Sequence, residues 1–266
     1  MSAPEDDPPA SPATLFDLTG RVALVTGASR GLGWAIARAL AAAGARVALS
    51  GRDAAALASR EAAMRAWGLA AEVASFDVTD AEAATAAVRA LAERHGRLDI
   101  LVSNAGGSVR KPALDQTDAD FRAVVEEHLV AGFRLAREAA RFMVPAGSGR
   151  ILFVSSINAF IVRPTMAGYA AAKAGMNGLV RALAVELAAS GVTVNALAPG
   201  YVLTPGNEAL RRNDPAFEAR IAARTPAARW GRPDEIGAAA LYLCSAAASY
   251  TNGAVLTVDG ALTAAI

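Results

Sequence analysis

The chain of 266 residues is 54% hydrophobic and 19% charged, enough to bury a large core and a length suited to one α/β domain. Lysine plus arginine number 26 against 25 acidic residues, a net charge of +1, which excludes a general electrostatic pull toward nucleic acid or an anionic membrane. Cys244 is the only cysteine, so an intrachain disulfide and a cysteine-rich metal site are excluded, and a reducing compartment fits.

The opening stretch 1–14, MSAPEDDPPASPAT, is acidic and proline-rich without an apolar core, and is expected to be a disordered tail rather than a signal peptide. From residue 15 onward, short apolar runs alternate with alanine-rich segments of helical length. In chain order the expected elements are strand 22–26, helix 32–43, strand 46–50, helix 53–67, strand 71–76, helix 80–94, strand 98–103, helix 121–143, strand 150–155, helix 168–189, strand 192–198, helix 234–244 and strand 254–258. Most of the strand runs are apolar at consecutive positions, as strands covered on both faces must be. Thr79 and Glu82 have capping-box spacing, Asp53 is a candidate cap for the second helix, and Gly44 and Gly96 sit at expected helix stops. The stretch 199–233 carries several prolines and charges; it reads as one long irregular connection, of the kind that forms lids. No run reaches about 18 uninterrupted apolar residues, the length of a membrane span, so a soluble, cytoplasmic protein is expected.

Such alternation implies an α/β fold: a single-domain, Rossmann-like, doubly wound parallel sheet of about seven strands over 15–266, with helices on both faces. The first strand runs into Thr26-Gly27-Ala28-Ser29-Arg30-Gly31-Leu32-Gly33. Glycines there let the backbone turn tightly and approach a pyrophosphate, whose charge is favoured at a helix N-terminus. Tyr169 and Lys173 lie four apart on one expected helix and so share a face, and Ser156 precedes Tyr169 by thirteen residues. Alone, a Tyr-x-x-x-Lys is an ordinary helix pair. The chain has only two lysines, Lys111 and Lys173, which makes each position informative.

The spacing Gly-x-x-x-Gly-x-Gly, Asp77-Val78, Asn104-Ala105-Gly106, Ser156, Tyr169-x-x-x-Lys173 and Pro199-Gly200 followed by Thr204 occur in order. This series resembles the short-chain dehydrogenase/reductase family over essentially all of 15–266. The resemblance implies a nicotinamide-dependent oxidoreductase acting on a secondary alcohol or ketone, in which Gly27, Ser29, Arg30, Gly31, Leu32 and Gly33 bind the cofactor's phosphates. It also implies that Asp77 and Val78 contact the adenine, that Asn104, Ala105 and Gly106 line the cofactor, and that Pro199, Gly200, Val202 and Thr204 flank the nicotinamide. Lys173 holds the nicotinamide ribose, Ser156 hydrogen-bonds the reacting oxygen, and a homotetramer is the usual assembly.

The end of the second strand reads Ser50-Gly51-Arg52, without the acid that would bind the ribose hydroxyls of NAD. Arg52 and Arg30 can clamp a 2′-phosphate, so NADP is preferred; the other reading is that both arginines are solvated and Asp53 serves NAD. A phenol with an ordinary pKa of ~10 needs help to act as a base, and the Lys173 ammonium is expected to lower it. Where the family usually carries an asparagine in a water-linked proton relay, this chain has His128. It is either a substitute for the relay, able to titrate near neutral pH, or a locally bonded helix residue. His95, beside a helix stop, reads as structural.

The segments Leu15-Phe16, Leu18, Gly20, GYVLTP at 200–205, TPAARWG at 225–231 and VDG at 258–260 are similar to the gluconate 5-dehydrogenase group within that family. Arg110 and Lys111 are candidates for binding a substrate carboxylate, or else form a solvated loop edge. The competing readings are a 3-oxoacyl thioester or other ketone reductase, which needs an apolar channel, and a non-catalytic NADP-binding regulator.

Overall fold

Strand residues alternate between two hydrophobic layers. Val22 and Leu24 join the core on one face, while Ala23 and Val25 join the other; Leu101 and Ile100 divide in the same way, as do Ile151 and Leu152. A strand buried on both sides must be apolar throughout, which is why the sequence shows runs rather than alternation. The computed structural model describes residues 10–265. Its seven strands are β1 (Val22–Val25), β2 (Arg46–Gly51), β3 (Ala71–Ser75), β4 (Ile100–Ser103), β5 (Gly149–Val154), β6 (Val192–Pro199) and β7 (Val255–Val258). They form a single parallel sheet in the order β3-β2-β1-β4-β5-β6-β7.

Residues 1–9 of the expected disordered tail lie outside the described residues. The end of that stretch is ordered differently from expectation, because Pro12–Phe16 form a short helix, α1, whose first turn is capped by Ser11 Oγ accepting the Thr14 N–H at 3.1 Å. Helices α2 (Gly31–Ala42) and α3 (Ala54–Ala66) cover one face of the sheet. Asp53 caps α3 as expected, accepting from Ala56 N–H at 2.9 Å. The next helix, α4 (Ala81–His95), departs from the Thr79 capping box: Asp80 is the cap, and the Thr79 hydroxyl donates to Asp77 instead. Gly96 ends α4 in the left-handed conformation at φ 67°, the region glycine enters without a Cβ penalty.

The helix expected over 121–143 is divided. It begins earlier, as α5 (Asp118–Val125), because Thr117 and Asp120 form a reciprocal capping box ahead of the first apolar residue. A π-turn, Glu126–Val130, then separates α5 from α6 (Ala131–Met143). Such an insertion widens the helix by a residue and re-aims side chains, and is frequent at functional sites. The long helix α7 (Ala167–Leu187) follows β5. The stretch 199–233 is not irregular: it holds α8 (Glu208–Asn213) and α9 (Ala216–Arg224), organised around a small core of Phe217, Ile221 and Trp230. Helix α10 (Pro233–Cys244) returns to pack beside α2. None of the described helices is long and apolar enough to cross a membrane.

Candidate active site

β1 is flanked by β2 and β4, so the connections leaving β1 and β4 diverge and open a crevice at their carboxyl ends. Two loops are locked together there. Thr26 Oγ1 accepts the N–H groups of Asn104 and Ala105 at 2.9 and 3.0 Å, and Asn104 Nδ2 donates to Thr26 O at 2.9 Å. A Cβ on Gly33 would fall 2.3 Å from Gly27 O and one on Gly27 would fall 2.8 Å from Asn104 Nδ2, so only glycine permits this approach. Gly33 therefore acts behind the cavity wall, whereas Gly27, Ser29, Arg30, Gly31 and Leu32 line it. Among the described residues no side chain caps the N-terminus of α2, whose first residues Gly31 and Leu32 line the cavity, so its free N–H groups can receive an anionic phosphate. This chemistry fits a dinucleotide, and the cavity of about 690 Å³ runs from α2 to Tyr169 and on to Phe217.

At one end of the cavity Arg52 stands 3.9 Å from Asp77. Hydrogen bonds from Thr79 hold the Asp77 carboxyl below its ordinary pKa, with Arg52 adding to the effect. Arg30 and Val78 line the same end. The Asp53 carboxylate is engaged in capping α3, which weakens its case as a ribose ligand. Arg60, which sequence reasoning did not single out, donates from Nε to Ser29 O at 2.9 Å and stacks on Trp34, fixing the glycine loop.

Asn104, Ala105, Gly106, Pro199, Gly200, Val202 and Thr204 line the middle of the cavity. There α7 presents Tyr169 and Lys173, and Ser156 follows β5. Lys173 Nζ donates to Val154 O at 2.6 Å and lies 5.5 Å from the Tyr169 ring centroid. Ser156 Oγ accepts from Asn158 N–H and Nδ2 at 3.1 and 3.2 Å. Burial drives the Lys173 ammonium down to about 7, against the opposing charge of Glu127. The expectation that Lys173 would lower the phenol is corrected here. Burial raises Tyr169, and the groups that oppose the rise are Ser156 and Arg110.

The π-turn brings His128 and Glu127 to the cavity wall. His128 Nε2 lies 2.6 Å from Gly107 O, so this nitrogen donates and Nδ1 carries the lone pair, buried and, among the described residues, without a partner. The ring meets Tyr169 edge-on at 5.2 Å. Gly106 packs against it so closely that a Cβ would lie 2.0 Å from His128 Cε1. Burial, with the nearby Lys173 charge, pushes His128 down to about 3, so its expected titration near neutral pH does not hold. Glu127 Oε2 accepts the Gly107 N–H at 2.8 Å.

A stability consequence follows from His128. Between about 3 and the ordinary 6.5, the unfolded chain binds a proton that the native imidazole refuses, so stability is lost as pH falls from 6.5 toward 3. His128→Asn removes this contribution; thermal melts from pH 7 to 5 should show a shallower loss in the variant. Turnover should show no histidine limb in that range, and a limb near 6.5 that disappears in the variant would contradict the neutral imidazole.

Arg110 and Arg163 line the substrate end with Tyr201, Asn158 and Phe217. Lys111 does not join them: its Nζ donates to Asp120 Oδ2 at 2.7 Å, drawn to the capping box of α5. Arg163, Phe217 and Glu127 were not recognised from sequence. Arg163 lies in the connection between β5 and α7, and nothing local in the sequence marks its direction. His95 pairs with Glu72 at 2.5 Å, away from the cavity, and is structural as expected. Cys244 is buried, its thiol pushed up to about 12. Among the described residues no cluster of His, Cys, Asp or Glu could hold a metal.

A family model described as Enoyl-(Acyl carrier protein) reductase, of the short-chain dehydrogenase class, matches residues 27–263. The chain is 40% identical over 252 residues to gluconate 5-dehydrogenase of Gluconobacter oxydans, covering 95% of this chain and 98% of that one. It is 46% identical to the L-tagatose-forming galactitol 2-dehydrogenase of Cereibacter sphaeroides, covering 94% and 98%. Among solved structures, gluconate 5-dehydrogenase of Burkholderia cenocepacia in complex with NADP and tartrate superposes with a TM-score of 0.91 at 40% identity, covering 96% of this chain and 99% of that one. Both the sequence likeness and the shared seven-stranded architecture span nearly the whole chain, and on that ground it belongs to the short-chain dehydrogenase/reductase family.

Proposed function

We propose that the protein is an NADP-dependent oxidoreductase that interconverts a secondary hydroxyl and a ketone on a sugar acid, as its gluconate 5-dehydrogenase relatives are named for doing. The observation that carries the reading is the meeting of Ser156, Tyr169 and Lys173 with the Arg110 guanidinium in one cavity. When bound, the oxidised nicotinamide would take a hydride from the alcohol carbon, and the reduced one would give a hydride to the ketone carbon. Tyr169 Oη exchanges the proton with the substrate oxygen, and Ser156 Oγ hydrogen-bonds that oxygen and orients it. Because burial raises the phenol pKa, Tyr169 is held protonated at neutral pH, ready to donate in the direction of ketone reduction. Lys173 would hold the nicotinamide ribose, Thr204 and Val202 the carboxamide, and Gly27, Ser29, Gly31 and Leu32 the phosphates at the start of α2. Asp77 and Val78 would flank the adenine.

Arg110 receives the substrate carboxylate, whereas Lys111 supports the loop through Asp120. Arginine and asparagine at the substrate end disfavour the apolar channel that a 3-oxoacyl thioester requires. The paired Tyr169 and Lys173 in a deep cavity disfavour a non-catalytic regulator. His128, neutral and, among the described residues, without a partner at Nδ1, is positioned to accept a hydrogen bond in the proton relay. The near-zero net charge is consistent with a cytoplasmic, soluble enzyme without nucleic-acid partners. A homotetramer is the expected assembly; exposed Phe121, Val130, Phe133 and Val185 on α5, the π-turn, α6 and α7 provide apolar surface for it.

The test is a spectrophotometric screen of NADP reduction across sugar acids, neutral polyols and 3-hydroxyacyl thioesters. Turnover confined to hydroxyacyl thioesters would reject the sugar-acid assignment. For the cofactor, Arg52→Ala should erase most of the preference for NADP over NAD, since a charged hydrogen bond contributes ~1.5–3 kcal/mol, roughly tenfold or more in affinity. Calorimetry showing equal affinity for the two dinucleotides in the unaltered protein would reject the assignment to NADP.

A further inference from the structure

Two guanidinium groups share the substrate end of the cavity. Arg110 reaches it from the loop after β4, and Arg163 from the loop before α7, seven residues past Ser156. Among the described residues neither has a carboxylate within ion-pair distance, whereas two arginines beside Trp230 are paired, Arg211 with Glu218 at 3.0 Å and Arg229 with Glu235 at 2.7 Å. Arg110 Nε donates to Ser108 Oγ at 3.3 Å, its only hydrogen bond among the described residues. Burial first, and the Arg163 charge second, hold the Arg110 pKa below its ordinary value. Two like charges brought together in a partly desolvated cavity repel one another, and a shared anion relieves the repulsion. A carboxylate suits this arrangement, because guanidinium N–H groups fork onto its two oxygens.

Arg163 is also held from the side. Its Cζ lies 5.6 Å from the centroid of Phe217 on α9, an attraction between cation and ring that orders the side chain without neutralising it. Phe217 in turn packs against Tyr201 and Trp230, at 5.9 and 5.8 Å between centroids. The guanidinium is thus fixed by an aromatic cluster while its hydrogen-bonding fork stays available to the cavity.

We infer that Arg163 is a specificity-determining residue that binds the substrate carboxylate jointly with Arg110, so that the site selects sugar acids over neutral polyols of the same length. The inference rests on the sugar-acid reading of the active site, and adds that the acid end is held by two arginines rather than one. A neutral polyol leaves the pair of charges unanswered, whereas a carboxylate is bound by both.

The test is calorimetric binding of D-gluconate and of galactitol to the full-length protein saturated with NADPH, a pairing of reduced cofactor with alcohol that cannot react. The unaltered protein should bind D-gluconate at least tenfold more tightly than galactitol. Arg163→Leu should weaken D-gluconate at least tenfold and leave galactitol and NADPH affinities unchanged, and Arg163→Lys, which keeps charge but loses the fork, should fall between. Thermal melts check that both variants fold. Equal D-gluconate binding by the unaltered and Arg163→Leu proteins, including no measurable binding by either, overturns the inference, as does an equal loss for both ligands. Failure of the sugar-acid reading appears separately, as D-gluconate that binds through Arg163 but is not oxidised with NADP.

Discussion

Tyr169→Phe is expected to lower turnover by roughly 10²–10⁴-fold, the contribution of a positioned general acid or base, while leaving NADP affinity and the melting temperature nearly unchanged. The substitution removes one hydroxyl and keeps the ring, so the edge-on packing with His128 at 5.2 Å survives. What is lost is the proton donor. Its pKa is raised by burial, and this sets the direction of the pH dependence. Reduction of a ketone requires the neutral phenol and should hold across the neutral range, falling only as the phenol ionises. Oxidation of the alcohol requires a base and should rise with pH toward that ionisation. Both limbs should vanish from the residual rate of the phenylalanine variant. Substantial residual turnover with the wild-type pH profile would remove Tyr169 from the proton transfer.

Lys173→Ala should damage turnover and NADP binding together, by roughly ten- to 150-fold in affinity if the lost contact is a charge-assisted hydrogen bond of ~1.5–3 kcal/mol. Lys173 is buried, and its Nζ donates to Val154 O at 2.6 Å. Truncation therefore also opens a void and strips a donor from the end of β5. Lys173→Met refills the space without the charge and separates the two effects. If methionine restores the melting temperature but not the affinity or the rate, the ammonium itself is what the cofactor needs. Recovery of NADP affinity in the methionine variant, followed by fluorescence titration, would reduce Lys173 to a packing residue. With the amine driven down to about 7, cofactor affinity in the unaltered protein should weaken as pH rises through that value, because the charged form is the better donor; the methionine variant should lose this dependence.

The sequence by itself determined the sheet, the glycine loop and the Ser156, Tyr169 and Lys173 spacing. Each is written within a few residues of chain: a doubly covered strand must be apolar throughout, Gly33 must clear Gly27 O, and residues four apart on a helix share a face. The Asp53 cap and the Gly96 stop were legible for the same local reason. Tertiary structure alone decided what depended on distant partners. The helix expected over 121–143 looks continuous in its periodicity, but a π-turn interrupts it and turns Glu127 and His128 to the cavity. The titration of His128 could not be read from its type, since burial, supplied by elements far along the chain, outweighs its ordinary affinity for a proton. Arg110 and Lys111 are adjacent in sequence and equally basic, yet one lines the cavity and the other is taken by Asp120. The same limit hid Arg163, whose meeting with Arg110 joins loops more than fifty residues apart. Local sequence carries backbone preferences, but the charge a group holds and the partner it meets are set by the dielectric and neighbours that only the folded chain assembles.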